Sequence, residues 1–382
     1  RDAKYCAGQF IWTGFDYIGE PTPYSTKNSY FGQIDTAGFE KDSFYIYKAE
    51  WTSYTDKPFV HIYPYWDFND GQEIDIRVVS NAPFVRLFFN GELIGEKSLD
   101  HENGKSLILD VKRRYEIGTL TAAAYDDNGS EIARDEKCSF SDSAELVLST
   151  DKLTGNADGE ELFFIEVSAV DKNGIPVENA VDRVNIEVSG EGRLLGLDNG
   201  DSTDYEQYKT TSRRLFSGKL LAIIGATKSA GRITVKATSP GLKEAQIELA
   251  TLSCETDDGL PCESRVSRYE PDFEKFGNEI PLRKIELGGE RLTFDKEHDT
   301  LTFKVNCKPE NATYRNDTEY RVTTVSGIDS NLAEITEQSA ESVTIKCNGD
   351  GEIYLRALNK NGKKKPSLIS VIKLSAEGLG AA

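Results

Sequence analysis

The 382-residue sequence contains no methionine, only three histidines and only six cysteines. So few cysteines in a chain of this length do not make a disulfide scaffold. No C-x-x-C occurs, and His61, His101 and His298 do not cluster with the cysteines, so no zinc or other metal site is expected. The cysteines read as buried or idle thiols. A Cys307–Cys347 or Cys254–Cys262 bridge is the alternative, and would imply an oxidising compartment. Positive charge is also short: 45 Lys and Arg stand against 64 Asp and Glu, a net charge of -19. Nucleic acid and anionic membrane surfaces both require a cationic face, so neither is expected as a partner. The one basic cluster, Lys363-Lys364-Lys365, falls in an expected turn. No apolar run approaches the ~18 residues of a membrane span. The start, Arg1 to Tyr5, has neither an initiator Met nor a signal-peptide core. It runs straight into an apolar pattern and reads as part of a longer polypeptide.

What is present suffices for several ordinary cores: 38% of residues are hydrophobic and 29% charged. Residues 9–16 read as a buried strand and Asp42 to Trp51 as a helix. Asp42 would cap that helix, and Phe44, Tyr47, Lys48 and Trp51 would share one face. A lone strand–helix unit cannot bury its own surfaces. It is therefore expected to pack on the first domain after it, covering Trp12, Phe15, Phe44 and Trp51. Short alternating strands follow, at 73–80, 84–89, 107–111 and 119–125, with Asn90-Gly91 and Asn128-Gly129 as hairpin turns. The theme repeats over 144–252, at 162–170, 184–189 and 232–238. It returns over 283–382, at 283–287, 300–307, 318–323, 342–346, 352–358 and 368–374. Strands at this spacing predict antiparallel sandwiches. The fold class is thus mainly β. The expected divisions are 1–55, 56–143, 144–252, a polar linker at 253–282, and 283–382.

The run Gly8-Gln9-Phe10-Ile11-Trp12-Thr13-Gly14-Phe15-Asp16-Tyr17-Ile18-Gly19-Glu20-Pro21-Thr22-Pro23-Tyr24 resembles the eighth barrel strand and following loop of family 2 glycoside hydrolases, in the β-galactosidase branch. Tyr30 to Asp42 and His61-Ile62-Tyr63-Pro64-Tyr65-Trp66-Asp67-Phe68 are similar to the same branch, as is Leu195-Gly196-Leu197-Asp198-Asn199-Gly200-Asp201. The last domain resembles bacterial immunoglobulin-like repeats. The resemblance implies the last strand–helix unit of a TIM barrel followed by tandem immunoglobulin-like β-sandwiches. It also implies a retaining parent enzyme, with two glutamates on earlier strands as acid/base and nucleophile. No catalytic residue is therefore expected in this chain, and no cofactor. The carbohydrate substrate would be met through the barrel. A long tail of sandwiches favours an exported protein.

The same resemblance puts Trp12 in the floor of the sugar site, where an indole face suits the apolar C–H side of a pyranose. Asp16 and Tyr24 complete the expected substrate-binding set, Tyr24 at the pocket mouth. Asp16 and Glu20 also admit a paired-carboxylate reading. The alternative roles are a hydrogen bond to the barrel rim for Asp16 and ordering of the Gly19–Pro21 loop for Glu20. Asp198, Asp201, Asp204 and Glu206 have a spacing reminiscent of calcium loops but lack the full ligand pattern, so a solvated, turn-capping loop is expected. Tyr63, Tyr65 and Trp66 could bind glycan, but packing at a domain junction is the expected role. A non-catalytic glycan-binding or adhesive module is the competing function. Its mark would be a line of exposed aromatics on one sandwich face.

Overall fold

The computed structural model describes residues 4–8, 10–22, 24, 26–101, 107–255 and 279–380. Among these, the one α-helix is Asp42–Trp51, and antiparallel sheets dominate the remainder. The mainly β fold class expected from pattern is the one observed. No helix among the described residues is long and apolar enough to cross a membrane.

The first pair of sheets joins Val60–Tyr63, Glu73–Ser80 and Ile108–Arg114 in one layer. Glu92–Ser98, Phe84–Phe89, Thr119–Tyr125 and Glu131–Cys138 form the other. Alternation sets which face is buried. In Glu73–Ser80, Ile74, Ile76 and Val78 point inward while Glu73, Asp75 and Arg77 face water. The Asn90-Gly91 turn forms as expected, with φ values of 48° and 85°, the two left-handed positions of a tight hairpin. Trp66 is fully buried against Phe89 and Tyr115, and its indole N–H donates to the Glu116 carbonyl at 3.1 Å. Trp66 therefore packs rather than facing a glycan, and the side chains around it here belong to this pair of sheets.

In the second pair, one sheet has the order Gly192–Asp198, Lys219–Ala226, Leu162–Asp171, Ser143–Ser149. The other has the order Ser212–Arg214, Arg183–Gly190, Gly231–Thr238, Ala245–Leu252, Thr154–Asn156, and its last pairing is parallel. Lys284–Gly288, Thr300–Lys308, Ser342–Cys347 and Ala333–Gln338 make one sheet of the third pair. Thr293–Phe294, Leu368–Ala376, Gly351–Asn359 and Thr318–Thr323 make its partner. Phe294, Phe303, Val343, Ile345, Ile353 and Leu355 fill one core from both sheets, all fully buried. Each such side chain stabilises the fold by about 1.5–3 kcal/mol.

The chain divides into two compact units. One comprises Arg1–Asp67, Glu73–Glu178 and Val184–Pro271, the other Phe68–Gln72, Asn179–Arg183 and Asp272–Ala382. Within the second, Arg183 and Glu279 form a buried ion pair, and the Asn361 side-chain amide brackets Leu282, accepting its N–H and donating to its carbonyl. The greater part of the expected linker, residues 256–278, lies outside the described residues, and so does Cys262 of the Cys254–Cys262 alternative. Cys307 and Cys347 are free thiols. The Cys347 N–H donates to the Asp299 carbonyl at one end of the Thr300–Lys308 strand, whereas Cys307 lies at the other end. At ~3.3 Å per residue that is about 25 Å, far beyond disulfide reach.

Candidate functional site

Residues 10–41 form a compact irregular segment rather than the expected strand over 9–16. Among the described residues its β pairing is confined to single bridges, Phe15 with Ile34, Thr22 with Ser29, and Ile34 with Glu40. Phe10, Trp12 and Phe15 are consequently exposed. A strand is buried only when neighbours supply both its ladder and its cover, and among the described residues no long partner strand lies beside this stretch. Backbone hydrogen bonds tie Gly14 and Asp16 to Gln33 and Ile34. The approach is close enough that a Cβ on Gly32 would stand 2.1 Å from the Asp16 nitrogen, so glycine is required there.

Trp12 is 74% exposed. Its indole N–H donates to the Tyr17 hydroxyl at 3.0 Å, and that hydroxyl donates to Glu20 Oε2 at 2.8 Å. The two rings meet edge to face, 6.4 Å between centroids and 84° between planes. The polar edge of the indole is thus satisfied while its apolar surface remains available. Glu20 does order this loop, through the Tyr17 hydroxyl. Asp16 behaves differently. Both its carboxylate oxygens bind Lys41 Nζ, at 2.8 and 2.7 Å, and Oδ1 also accepts the Gly32 N–H at 2.8 Å. Its side chain is 1% exposed, so the carboxylate faces inward, onto Lys41 and Gly32. Asp16 and Glu20 hold separate partners and do not form the acid/base pair their spacing admits. Tyr24 is 95% exposed and, among the described residues, makes no hydrogen bond or ring contact with Trp12 or Asp16.

The helix packs on the first pair of sheets as expected, but by a different set of side chains. Tyr45 stacks on His61 at 3.7 Å, Lys48 lies over the Phe59 ring, and Asn81 donates to the Thr52 hydroxyl. Ala49 is buried, whereas Trp51 is 72% exposed. Asp42 is the first helical residue and not the cap. Its carboxylate binds His61 Nε2 at 2.9 Å.

The acidic loop is also different from expectation. Asp201 and Asp204 are buried rather than solvated. The turn-capping role holds: Asp198, Asp201 and Asp204 accept the N–H groups of Gly200, Thr203 and Glu206. Asp204 Oδ2 also pairs with buried Arg213 at 3.1 Å. Among the described residues no group of His, Cys, Asp or Glu is arranged to hold a metal ion. The loop is buried because residues 26–35 lie on it. The Ser202 carbonyl accepts the N–H groups of Lys27 and Asn28, at 3.0 and 3.1 Å. Asn28 Nδ2 donates to the Tyr208 hydroxyl at 2.9 Å, and Lys27 sits over the Tyr208 ring. Beside them Asp35 accepts the N–H groups of Ala37 and Phe39. Burial, with the negative charges of Asp198 and Asp16 nearby, pushes the Asp35 carboxyl up to about 6. Tyr17 and Lys41 lie inside the motif runs, and nothing local in the sequence marks their contacts with Trp12 and Asp16. The contact between residues 26–35 and 198–208 has no local sequence signal.

Residues 146–248 match the family described as glycoside hydrolase family 2 C-terminal domain 5, and residues 71–133 match the domain of unknown function DUF4982. A β-galactosidase of Bacteroides ovatus is 39% identical over 253 residues, covering 65% of this chain and 29% of that protein. A β-glucuronidase of Formosa agariphila is 27% identical over 237 residues, covering 60% of this chain and 23% of its own length. The crystal structure of a β-glycosidase from Bacteroides vulgatus superposes with a TM-score of 0.59 at 30% identity, over 63% of this chain and 30% of that one. The chain therefore spans about a quarter to a third of the length of these relatives.

Proposed function

The chain belongs to glycoside hydrolase family 2 as a C-terminal portion, and from that premise we propose that it is the accessory region of a retaining β-galactosidase. In this reading residues 1–55 complete the catalytic barrel and the β-sandwiches support it. Both catalytic carboxylates come from the polypeptide preceding Arg1. Trp12 offers its exposed indole face to the sugar, and Tyr24 lies at the pocket mouth. Asp16 acts indirectly, holding the Trp12 loop through Lys41 and Gly32.

The observation that carries this reading is the solvent-facing Trp12, its N–H held by Tyr17 and Glu20, within the segment that resembles the barrel motif. The distribution of aromatics supports it over a glycan-binding sandwich. Among the described residues, exposed aromatics beyond residue 55 are confined to Phe164, Tyr205 and Phe216, whereas Phe10, Trp12, Phe15 and Tyr24 crowd one short segment.

Hydrolysis of aryl β-galactosides and aryl β-glucuronides tests the proposal, with this chain alone and with the longer polypeptide. The chain alone is expected to show no turnover. The longer protein is expected to prefer the galactoside, and Trp12→Ala to raise its KM several-fold through loss of an aromatic contact worth about 1 kcal/mol. Preference for the glucuronide would reassign the substrate. Turnover by this chain alone, lost in Asp16→Asn or Glu20→Gln, would overturn the accessory role.

A further inference from the structure

We propose that the loop from Asn199 to Tyr208, in the second pair of sheets, positions the Trp12 platform. The inference rests on the reading of Trp12 as the sugar contact and names the element that sets its placement. The connection is continuous through hydrogen bonds. The Ser202 carbonyl and the Tyr208 hydroxyl hold Asn28, by its backbone N–H and its side chain respectively. The next residue, Ser29, donates its N–H to the Tyr17 carbonyl at 3.1 Å. Tyr17 then receives the indole N–H of Trp12 on its hydroxyl. Asn28 is 1% exposed and Ser29 fully buried, so the loop end of this path is dry and holds residues 28–29 firmly, whereas its last link, Trp12 to Tyr17, lies at the surface.

The steric fit adds a second constraint. Gly200 has φ +76°, and a Cβ there would stand 2.0 Å from Asp35 Oδ2. A larger residue at 200 must displace the Asp35 carboxylate, and with it the hydrogen bonds that carboxylate accepts from Ala37 and Phe39. Tyr208 and Gly200 are thus positioning residues. They touch no substrate and act through Asn28, Ser29 and Tyr17.

Fluorine NMR of the fluorotryptophan-labelled chain tests this without reference to activity. Three resonances are expected, from Trp12, Trp51 and Trp66, with Trp12 assigned by its loss in Trp12→Phe. Tyr208→Phe removes one acceptor and is mild, whereas Gly200→Ala wedges the contact. Both are expected to shift the Trp12 resonance and leave that of core Trp66 in place. Lys236→Ala, on the same pair of sheets but away from these groups, is expected to move neither. A Trp12 signal unchanged in both loop variants, with Trp66 also unchanged, overturns the proposal. In the longer enzyme the loop variants should raise KM about three- to tenfold with little change in kcat, a split that a purely structural role would not produce. A longer protein that hydrolyses no glycoside defeats the proposed function, while the fluorine result alone decides whether the loop sets Trp12.

Discussion

Two tryptophans separate burial from exposure at the scale of single residues. Trp66 is fully buried and hydrogen-bonded, so Trp66→Ala should destabilise by about 3–5 kcal/mol in urea unfolding, through lost transfer energy and a cavity. Trp12 is mostly exposed, and Trp12→Ala should stay within about 0.5 kcal/mol of the parent chain. A large loss from Trp12→Ala would make it a packing residue. Asp35 supplies a pH dependence. Its carboxyl titrates at about 6 in the folded chain against 3.8 for the free group. The folded state therefore binds more protons between those values, and stability falls as pH rises through that window. The contribution is on the order of 1–3 kcal/mol. Asp35→Asn keeps an oxygen acceptor for Ala37 and Phe39 and should remove this part of the difference between pH 4 and pH 7. An undiminished difference in the variant would assign it to other groups. Of the candidate residues, Trp12 is marked in the sequence by a local motif, and the structure adds that its ring is exposed. The inward turn of Asp16 is not so marked, because it depends on Lys41 and Gly32 folding back over it.

Legibility at the scale of elements follows how local the determining interactions are. The strands Glu73–Ser80, Phe84–Phe89, Thr119–Tyr125 and Thr318–Thr323 have the bounds that alternation indicates. Phe84–Phe89 alternates throughout and the other three over part of their length, enough for one buried face to fix the register. The turn at Asn90-Gly91 was equally readable, since φ > 0 at both positions selects those residues. Gly91→Val should cost about 1–2 kcal/mol, seen as a lower urea midpoint with unchanged slope. An unshifted midpoint would mean the turn does not hold the left-handed backbone. Residues 9–16 misled for the opposite reason. Their apolar run has the composition of a strand, but backbone pairing requires partners, and among the described residues only Gln33 and Ile34 come alongside.

The molecule as a whole is held by three mainly aliphatic cores, without described disulfides. Cys307 and Cys347 should resist alkylation in the native state and react after unfolding, whereas exposed Cys6 should react in both, as read by mass spectrometry. Resistance of Cys307 and Cys347 after denaturation without reductant would instead indicate a bridge. By itself the sequence determined the mainly β class, many of the strands and the placement of Trp12 in a recognisable motif. These depend on alternation, turn chemistry and a contiguous run of residues. Only the tertiary structure decided that Trp66 is core, that Asp16 faces Lys41, and that the acidic loop is buried beneath Lys27, Asn28 and Asp35. The physical reason is separation along the chain. Each of these outcomes is set by groups many residues away, whose approach is governed by packing and desolvation and leaves no periodic trace in the sequence.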